Sequence, residues 1–150
     1  MKVVNKKIPS VDGLGVMKGR RAFTDDFAEK DSLIVKVLRS PHAYAKIIMI
    51  DDSEALKLDG IEMVLTHKDF KRIPFTRAGQ GYPEPSPHDK FVLDEYVRYV
   101  GDEVLAVVGK DETTCEKALS LIKVDYEVYE PVLDYEAAID NEIVIHPEPE

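Results

Sequence analysis

Four histidines, one cysteine and several neighbouring carboxylates are the side chains here that could hold a metal, attack a substrate or move a proton. His42, His67, His88 and His146 lie far apart, with no i, i+4 pair and no His-Glu-x-x-His spacing, so they predict no metal site. His67 beside Asp69 reads as helix-start chemistry, and His42, after a proline, reads either as a packed ring or as an interface contact. Cys115 falls on an apolar helical stripe between Glu112 and Glu116, where a thiol behaves as a small buried hydrophobe rather than a nucleophile. A lone cysteine also excludes an intrachain disulfide and any cysteine-only zinc or iron–sulfur site. The pairs Asp25-Asp26, Asp51-Asp52 and Asp94-Glu95 are sequence neighbours, which point to opposite faces of a strand, so a solvated surface is expected instead of acid–base work. Gly79-Gln80-Gly81 lacks the third glycine, the preceding strand and the following helix of a phosphate cradle and reads as an ordinary turn. The residues therefore predict no catalytic, cofactor-binding or metal site in this chain.

Several elements can be read from pattern. Val3 to Ile8 alternates briefly, and Pro9, Gly13 and Gly15 then suggest turns. Leu33 to Leu38 reads as a strand with Lys36 on the face opposite Val35 and Val37; Pro41 interrupts it, and Ala45 to Ile50 resumes as a second strand. Ser53 is expected to cap a short helical turn through Lys57 that Gly60 closes. Ile61 to Leu65 reads as a third strand, and Thr66-His67-Lys68-Asp69 has capping-box spacing with Asp in place of Glu. Residues 70–90, with four prolines and two glycines, show no period; so long a loop is expected to be functional or mobile.

Val97 to Val100, Gly101-Asp102 and Glu103 to Val108 read as a β-hairpin with a type II′ turn, because Gly at the first central position tolerates positive φ. Asp111 or Thr113 starts a helix whose residues Cys115, Ala118, Leu119 and Ile122 form one apolar stripe. Lys123 to Tyr129 is a further strand, and Asp134 caps a short helix through Ile139. Strands and helices mix without a βαβ rhythm, which predicts an α+β fold: mixed strands, one long amphipathic helix and short helices. The expected core is Val35, Val37, Ile47, Val64, Val104, Ala106, Ala118, Leu119, Ile122 and Val124.

Composition sets the outer bounds. One hundred and fifty residues, 44% hydrophobic and 33% charged, suit a single domain over 1–150. No apolar run has the length of a membrane span and no secretory leader is visible, so a cytoplasmic address and no membrane partner are expected. The net charge of −9 hides a gradient: ten basic against five acidic residues in 1–50 (+5), seven against ten in 51–100 (−3), three against fourteen in 101–150 (−11). Such a surface repels phosphate backbones, so nucleic acid is not an expected partner.

Two segments carry a resemblance: Leu38-Arg39-Ser40-Pro41-His42-Ala43-Tyr44-Ala45-Lys46-Ile47, and Val97-Arg98-Tyr99-Val100-Gly101-Asp102-Glu103-Val104. Around them stand Ile8-Pro9-Ser10-Val11-Asp12, Gly19-Arg20-Arg21-Ala22-Phe23-Thr24-Asp25-Asp26, Gly60 to Thr66, Lys68-Asp69, Ala118-Leu119, Ile122 and Val124-Asp125-Tyr126. In order and spacing these blocks cover nearly the whole chain. They resemble the N-terminal α/β-hammerhead domain of the molybdenum hydroxylase large subunit, the xanthine dehydrogenase/aldehyde oxidase family. Arg21 stands where that family usually has alanine, Phe23 where it has tyrosine, and Leu105 where a small residue is common.

The resemblance implies a scaffold and interface domain of an enzyme that hydroxylates a purine-type heterocycle or an aldehyde with water as the oxygen source. A xanthine dehydrogenase-like parent is preferred. The parent implies molybdopterin-bound molybdenum, iron–sulfur clusters and FAD on other domains or subunits. Implied partners are the molybdenum-binding domains and the iron–sulfur and FAD subunits. With no room in 150 residues for the catalytic domains, this chain is expected to carry no cofactor and to be inactive alone. A free-standing interaction module or a truncated, non-catalytic hammerhead protein are the alternatives, which gene neighbourhood would separate. The candidate interface residues are Arg39, Pro41, His42, Gln80, Tyr82, Arg98, Tyr99, Gly101 and Asp102.

Overall fold

The computed structural model describes residues 4–20, 23–77 and 87–146. The chain divides into two compact units, 1–32 and 33–150. In the first, the helix α1 (Gly13–Met17) and a 3₁₀ turn at Thr24–Phe27 are the regular elements among the described residues. The alternating stretch up to Ile8 is not a strand over its described residues 4–8. It has no described strand in its unit to pair with, and an unpaired ladder leaves backbone groups unsatisfied. Where glycines at 13 and 15 suggest turns alone, the chain forms α1, ended by Gly19 at φ +69°. Positive φ is what a helix-terminating glycine supplies.

The second unit holds six strands: β1 (Ile34–Arg39), β2 (Ala45–Asp51), β3 (Ile61–Leu65), β4 (Tyr96–Val97), β5 (Glu103–Gly109) and β6 (Lys123–Val128). They form two antiparallel sheets of three, ordered β1-β5-β3 and β4-β2-β6. Consecutive strands always lie in different sheets, so every connection crosses from one to the other. The helix α2 (Glu112–Leu121) packs over the first sheet. Asp111 caps it by accepting from Thr114 N–H (2.8 Å), a contact that satisfies one of the orphan donors of the first turn. The architecture is α+β.

This alternation overturns the hairpin expected at 97–108. Gly101 does have positive φ, at +93°, but β4 pairs with β2 and β5 with β1 and β3. Asp102 N–H bonds to the Tyr99 carbonyl (3.1 Å). Gly101 is therefore the second central residue of the turn, where type II geometry needs positive φ, and not the first, as type II′ requires. A type II turn splays its flanking strands, and here it sends them into different sheets. Pro41 plays the matching part between β1 and β2: the first ladder ends at Ser40, and the chain crosses to the second sheet.

The core joins both sheets and α2 through Ala45, Ile47, Val97, Val104, Leu105, Val107, Cys115, Ala118 and Ile122. Val64, Leu119 and Val124 are partly buried against it, and Val37 and Ala106 are half-buried. Val35 is 56% exposed, contrary to expectation. The face of β1 that meets α2 carries Ile34, Lys36 and Leu38. Lys36 lays its stem along that face and pairs its ammonium with Glu112 and with Glu116 (3.3 Å) of α2, as long cationic side chains can. A lysine that marks solvent in a simple alternation here points toward the helix. Leu105, the departure from the family pattern, is fully buried and fills core volume.

Close approach of α2 explains Gly109. A Cβ there would lie 2.8 Å from both Cys115 Sγ and the Gly60 carbonyl, closer than packed atoms allow. The segment 53–57 is a run of turns rather than a helix. Asp51 accepts from Ser53 N–H (3.2 Å) and Oγ (2.7 Å), so the cap sits two residues earlier than expected. Thr66 and Asp69 form the expected capping box, around a 3₁₀ turn.

Candidate docking surface

The Pro41 crossing and the Gly101 turn lie side by side. Ser40 N–H donates to the Asp102 carbonyl (2.9 Å), and Gly101 N–H donates to the Ser40 carbonyl (2.8 Å). Ser40 Oγ accepts from His42 N–H and donates to the His42 carbonyl, each at 3.0 Å. This locks the bend around Pro41, whose own ring is exposed. The His42 ring is half-buried, edge-on to Tyr126 at 4.9 Å between centroids.

Asp102 is the hub of the turn. Its carboxylate is buried and accepts from Lys90 Nζ, Arg98 N–H (2.9 Å) and Glu103 N–H (3.0 Å). Above it, Glu103 bonds Arg39 (3.2 Å), Arg77 (2.6 Å) and Lys90 (3.2 Å). Arg39 also donates to the Gly101 carbonyl (2.9 Å), and Arg77 to Tyr99 Oη (3.1 Å). Arg39, Tyr99, Gly101 and Asp102 thus form one continuous patch, of which Arg39 and Tyr99 are exposed.

Arg98 is turned inward. With Asp94 and Arg72 it makes a triad: Arg98 donates to Asp94 Oδ2 at 2.6 Å, and Arg72 grips the same carboxylate with Nε (3.0 Å) and Nη2 (3.2 Å). Arg98 Nε also donates to the Ile145 carbonyl (3.1 Å), which ties the segment after β6 to the strand pair. Its guanidinium is a structural strut and not a free surface cation. Gln80 and Tyr82, like Gly79 and Gly81, lie outside the described residues. The described flanks of that loop are pinned: Phe75 and Lys90 exchange backbone bonds of 2.8 and 3.1 Å, and Arg72 and Arg77 anchor the incoming arm.

Sequence reasoning missed Arg72, Arg77, Lys90, Asp94 and Glu103. Asp94 was expected at a solvated surface and is 8% exposed. The available signal was its spacing of four from Arg98, but such spacing has meaning only once a helix or a bend is known. Asp51 caps Ser53, and Asp26 accepts from Phe23 N–H (3.0 Å).

Electrostatics follows from this pairing. Burial alone would raise the Asp94 carboxyl, but hydrogen bonds from Arg72 and Arg98 outweigh it and hold it below the usual range. Burial also opposes ionisation of Glu103, yet Lys90 and Arg77 bring its pKa from 4.5 to about 2. Lys90 is raised: burial works against its charge, and Asp102 and Glu103 more than compensate. A carboxylate whose folded pKa is depressed stabilises the fold above its unfolded pKa, and that contribution drains away as pH falls through the folded value. The urea midpoint should therefore fall between pH 4.5 and about 2, and Glu103→Gln should flatten part of that fall. An identical acid profile in the variant would remove Glu103 from the linkage.

No group of three or more His, Cys, Asp or Glu side chains converges to hold a metal among the described residues. Cys115 is buried against the Ile34 carbonyl (3.7 Å), its thiol pushed up by burial and then by Asp111. That donor set does not fit a molybdenum or iron–sulfur centre. Nor is any described helix long and apolar enough to cross a membrane.

Comparison with known proteins places this geometry in context. Residues 18–130 match the family model described as aldehyde oxidase and xanthine dehydrogenase, a/b hammerhead domain. The probable hypoxanthine oxidase XdhD of Escherichia coli K12 is 39% identical over 150 residues, covering 99% of this chain and 16% of that protein. The xanthine dehydrogenase molybdenum-binding subunit of Escherichia coli O157:H7 is 33% identical over 133 residues, 86% of this chain and 18% of the relative. Among solved structures, the aldehyde oxidoreductase of Desulfovibrio gigas superposes with a TM-score of 0.78 at 27% identity, over 93% of this chain and 16% of that one. The chain thus spans about a sixth of the length of these relatives.

Proposed function

Because this chain belongs to the aldehyde oxidase and xanthine dehydrogenase family, as its α/β-hammerhead domain, we propose that it is the scaffold and interface part of a molybdopterin-dependent hydroxylase. The parent reaction in this reading is xanthine dehydrogenase-like: a purine-type heterocycle or an aldehyde is oxidised with oxygen taken from water. Residues 1–150 act as one hammerhead domain. Molybdopterin–molybdenum, iron–sulfur clusters and FAD belong to other domains or subunits, and the molybdenum-binding domains are the direct partner.

One observation carries the reading. The chain aligns over almost its whole length with a hypoxanthine oxidase-type relative while covering only 16% of it. Its own ionisable residues support a structural part, because Asp94, Arg98, Lys90 and Asp102 are consumed by each other. What remains at the surface is a rigid bend-and-turn patch. Arg39, Pro41, His42, Tyr99, Gly101 and Asp102 form or border it. Arg98 supports it from beneath. Held by hydrogen bonds before any partner arrives, such a patch gives up little entropy on docking.

Isolated chain should contain no stoichiometric molybdenum, iron or flavin, and should reduce no dye acceptor with hypoxanthine or an aldehyde. Elemental analysis finding one molybdenum per chain, or steady turnover, would sink the proposal.

A further inference from the structure

Away from the patch, the second sheet and the segment after it line a half-open cavity of about 350 Å³. Its walls are the rings of Tyr44, Tyr96 and Tyr129 with Ile143 and Ile145, and Glu130 and Arg98 border it. We propose that this cavity is a binding site for a small organic cation of the quaternary ammonium class.

The walls favour a cation with an apolar skin. The Tyr44 and Tyr129 rings pack against each other, 5.2 Å between centroids and tilted by 54°. Backbone pairing fixes them, since Tyr129 N–H donates to the Tyr44 carbonyl (3.0 Å). Tyr96 shows that rings here accept positive charge: Lys46 Nζ lies 5.3 Å from its centroid and Arg98 Cζ 5.7 Å. Aromatic faces attract cations through their quadrupole, most strongly where water is excluded. Ile143 and Ile145 supply the apolar contact that methyl groups need and a bare ammonium does not.

The field at the mouth has the right sign. Tyr129 Oη donates to Glu127 (2.9 Å), and Glu130 is exposed at the rim. The Tyr129 hydroxyl is pushed up to about 12, first by its bond to Glu127 and then by desolvation. Arg98 is the opposing charge. It is answered by Asp94 at 2.6 Å and by the Ile145 carbonyl at 3.1 Å, while Arg72, the other cation of that triad, is 43% exposed and screened by water. Lys46 is balanced by Glu95 (3.6 Å). Among the described residues, Glu127 and Glu130 have no ion pair.

Choline and its neutral carbon isostere, 3,3-dimethyl-1-butanol, separate charge from shape. Titrated into the chain and read by saturation transfer from tyrosine ring protons to the ligand methyl protons, choline should bind roughly 10-fold tighter than the isostere. Tyr44→Leu and Tyr129→Leu should each weaken choline by roughly 3-fold to 10-fold. Glu130→Gln, a surface change that leaves the fold alone, should weaken choline and not the isostere. Equal binding of the two ligands, choline binding indifferent to Glu130→Gln and both tyrosine variants, or no choline binding up to about 100 mM (weaker than about 1.4 kcal/mol) would each overturn the assignment.

Discussion

Asp94→Ala is expected to lower stability by about 3–5 kcal/mol, because it removes a carboxylate that pairs directly with the buried Arg98 guanidinium. Asp94 and Arg98 side chains are each 8% exposed and meet at 2.6 Å. Arg98 also donates to the Ile145 carbonyl (3.1 Å) and the Tyr96 carbonyl (3.5 Å), but a carbonyl cannot neutralise a charge. Arg72 loses its two bonds as well, but it reaches water and is spared the desolvation cost. The thermal midpoint should drop by roughly 10 °C for a chain of this size. The double variant Asp94→Ala with Arg98→Met should recover part of that loss, since removing both members of a buried pair costs less than removing one. A single variant with an unchanged midpoint, or a double variant worse than the sum of its parts, would show that the triad is not the strut described.

Asp102→Ala should cost about 3 kcal/mol, and its damage should be local. Three donors lose their acceptor: Lys90 Nζ and the backbone N–H groups of Arg98 and Glu103. Lys90 is 17% exposed at its side chain and retains Glu103, which limits the penalty below that at Asp94. Hydrogen exchange should rise at residues 98–103 and 40–42, because Ser40 is bonded to the same turn. The ladder between β3 and β5 beyond Ala106 should keep its protection. Uniform loss of protection across both sheets would mean that the turn has no local role separable from the core.

These two residues also show where sequence reasoning stopped. The strands at 34–39, 45–51, 61–65 and 123–128, the helix at 112–121 and the Thr66 box follow from period and capping, because each depends on neighbours within a few residues. The positive φ at Gly101 was legible for the same reason. Which sheet each strand joins was not. The turn residues between β4 and β5 read like those of a hairpin, and the decision against pairing comes from β2 on one side and β1 and β3 on the other. Lys36 misled the choice of face on β1, since its partners Glu112 and Glu116 lie 76 and 80 residues away. Asp94 looked solvated until Arg72, 22 residues earlier, was brought to it. In the candidate interface, Arg39, Tyr99, Gly101 and Asp102 did converge. His42 packs on Tyr126 at one margin, and Arg98 is a support rather than a contact.

The resemblance visible in the sequence rests on order and spacing of short blocks, and structure now gives two of those blocks a physical reason. Ser40 and Pro41 end one ladder and cross to the other sheet, and the residues around Gly101 make the reverse crossing beside them. A change in either would disturb the other through the paired bonds at 2.8 and 2.9 Å.

Docking is the central claim, and hydrogen exchange on the chain with and without the polypeptide carrying the molybdenum-binding domains tests it most directly. The account predicts new protection at residues 38–45 and 70–90, and at the exposed part of the 99–101 turn, once the complex has formed. Exchange unchanged at all three segments, in a complex shown to be intact, would place the interface elsewhere on the domain and contradict the docking surface assigned here.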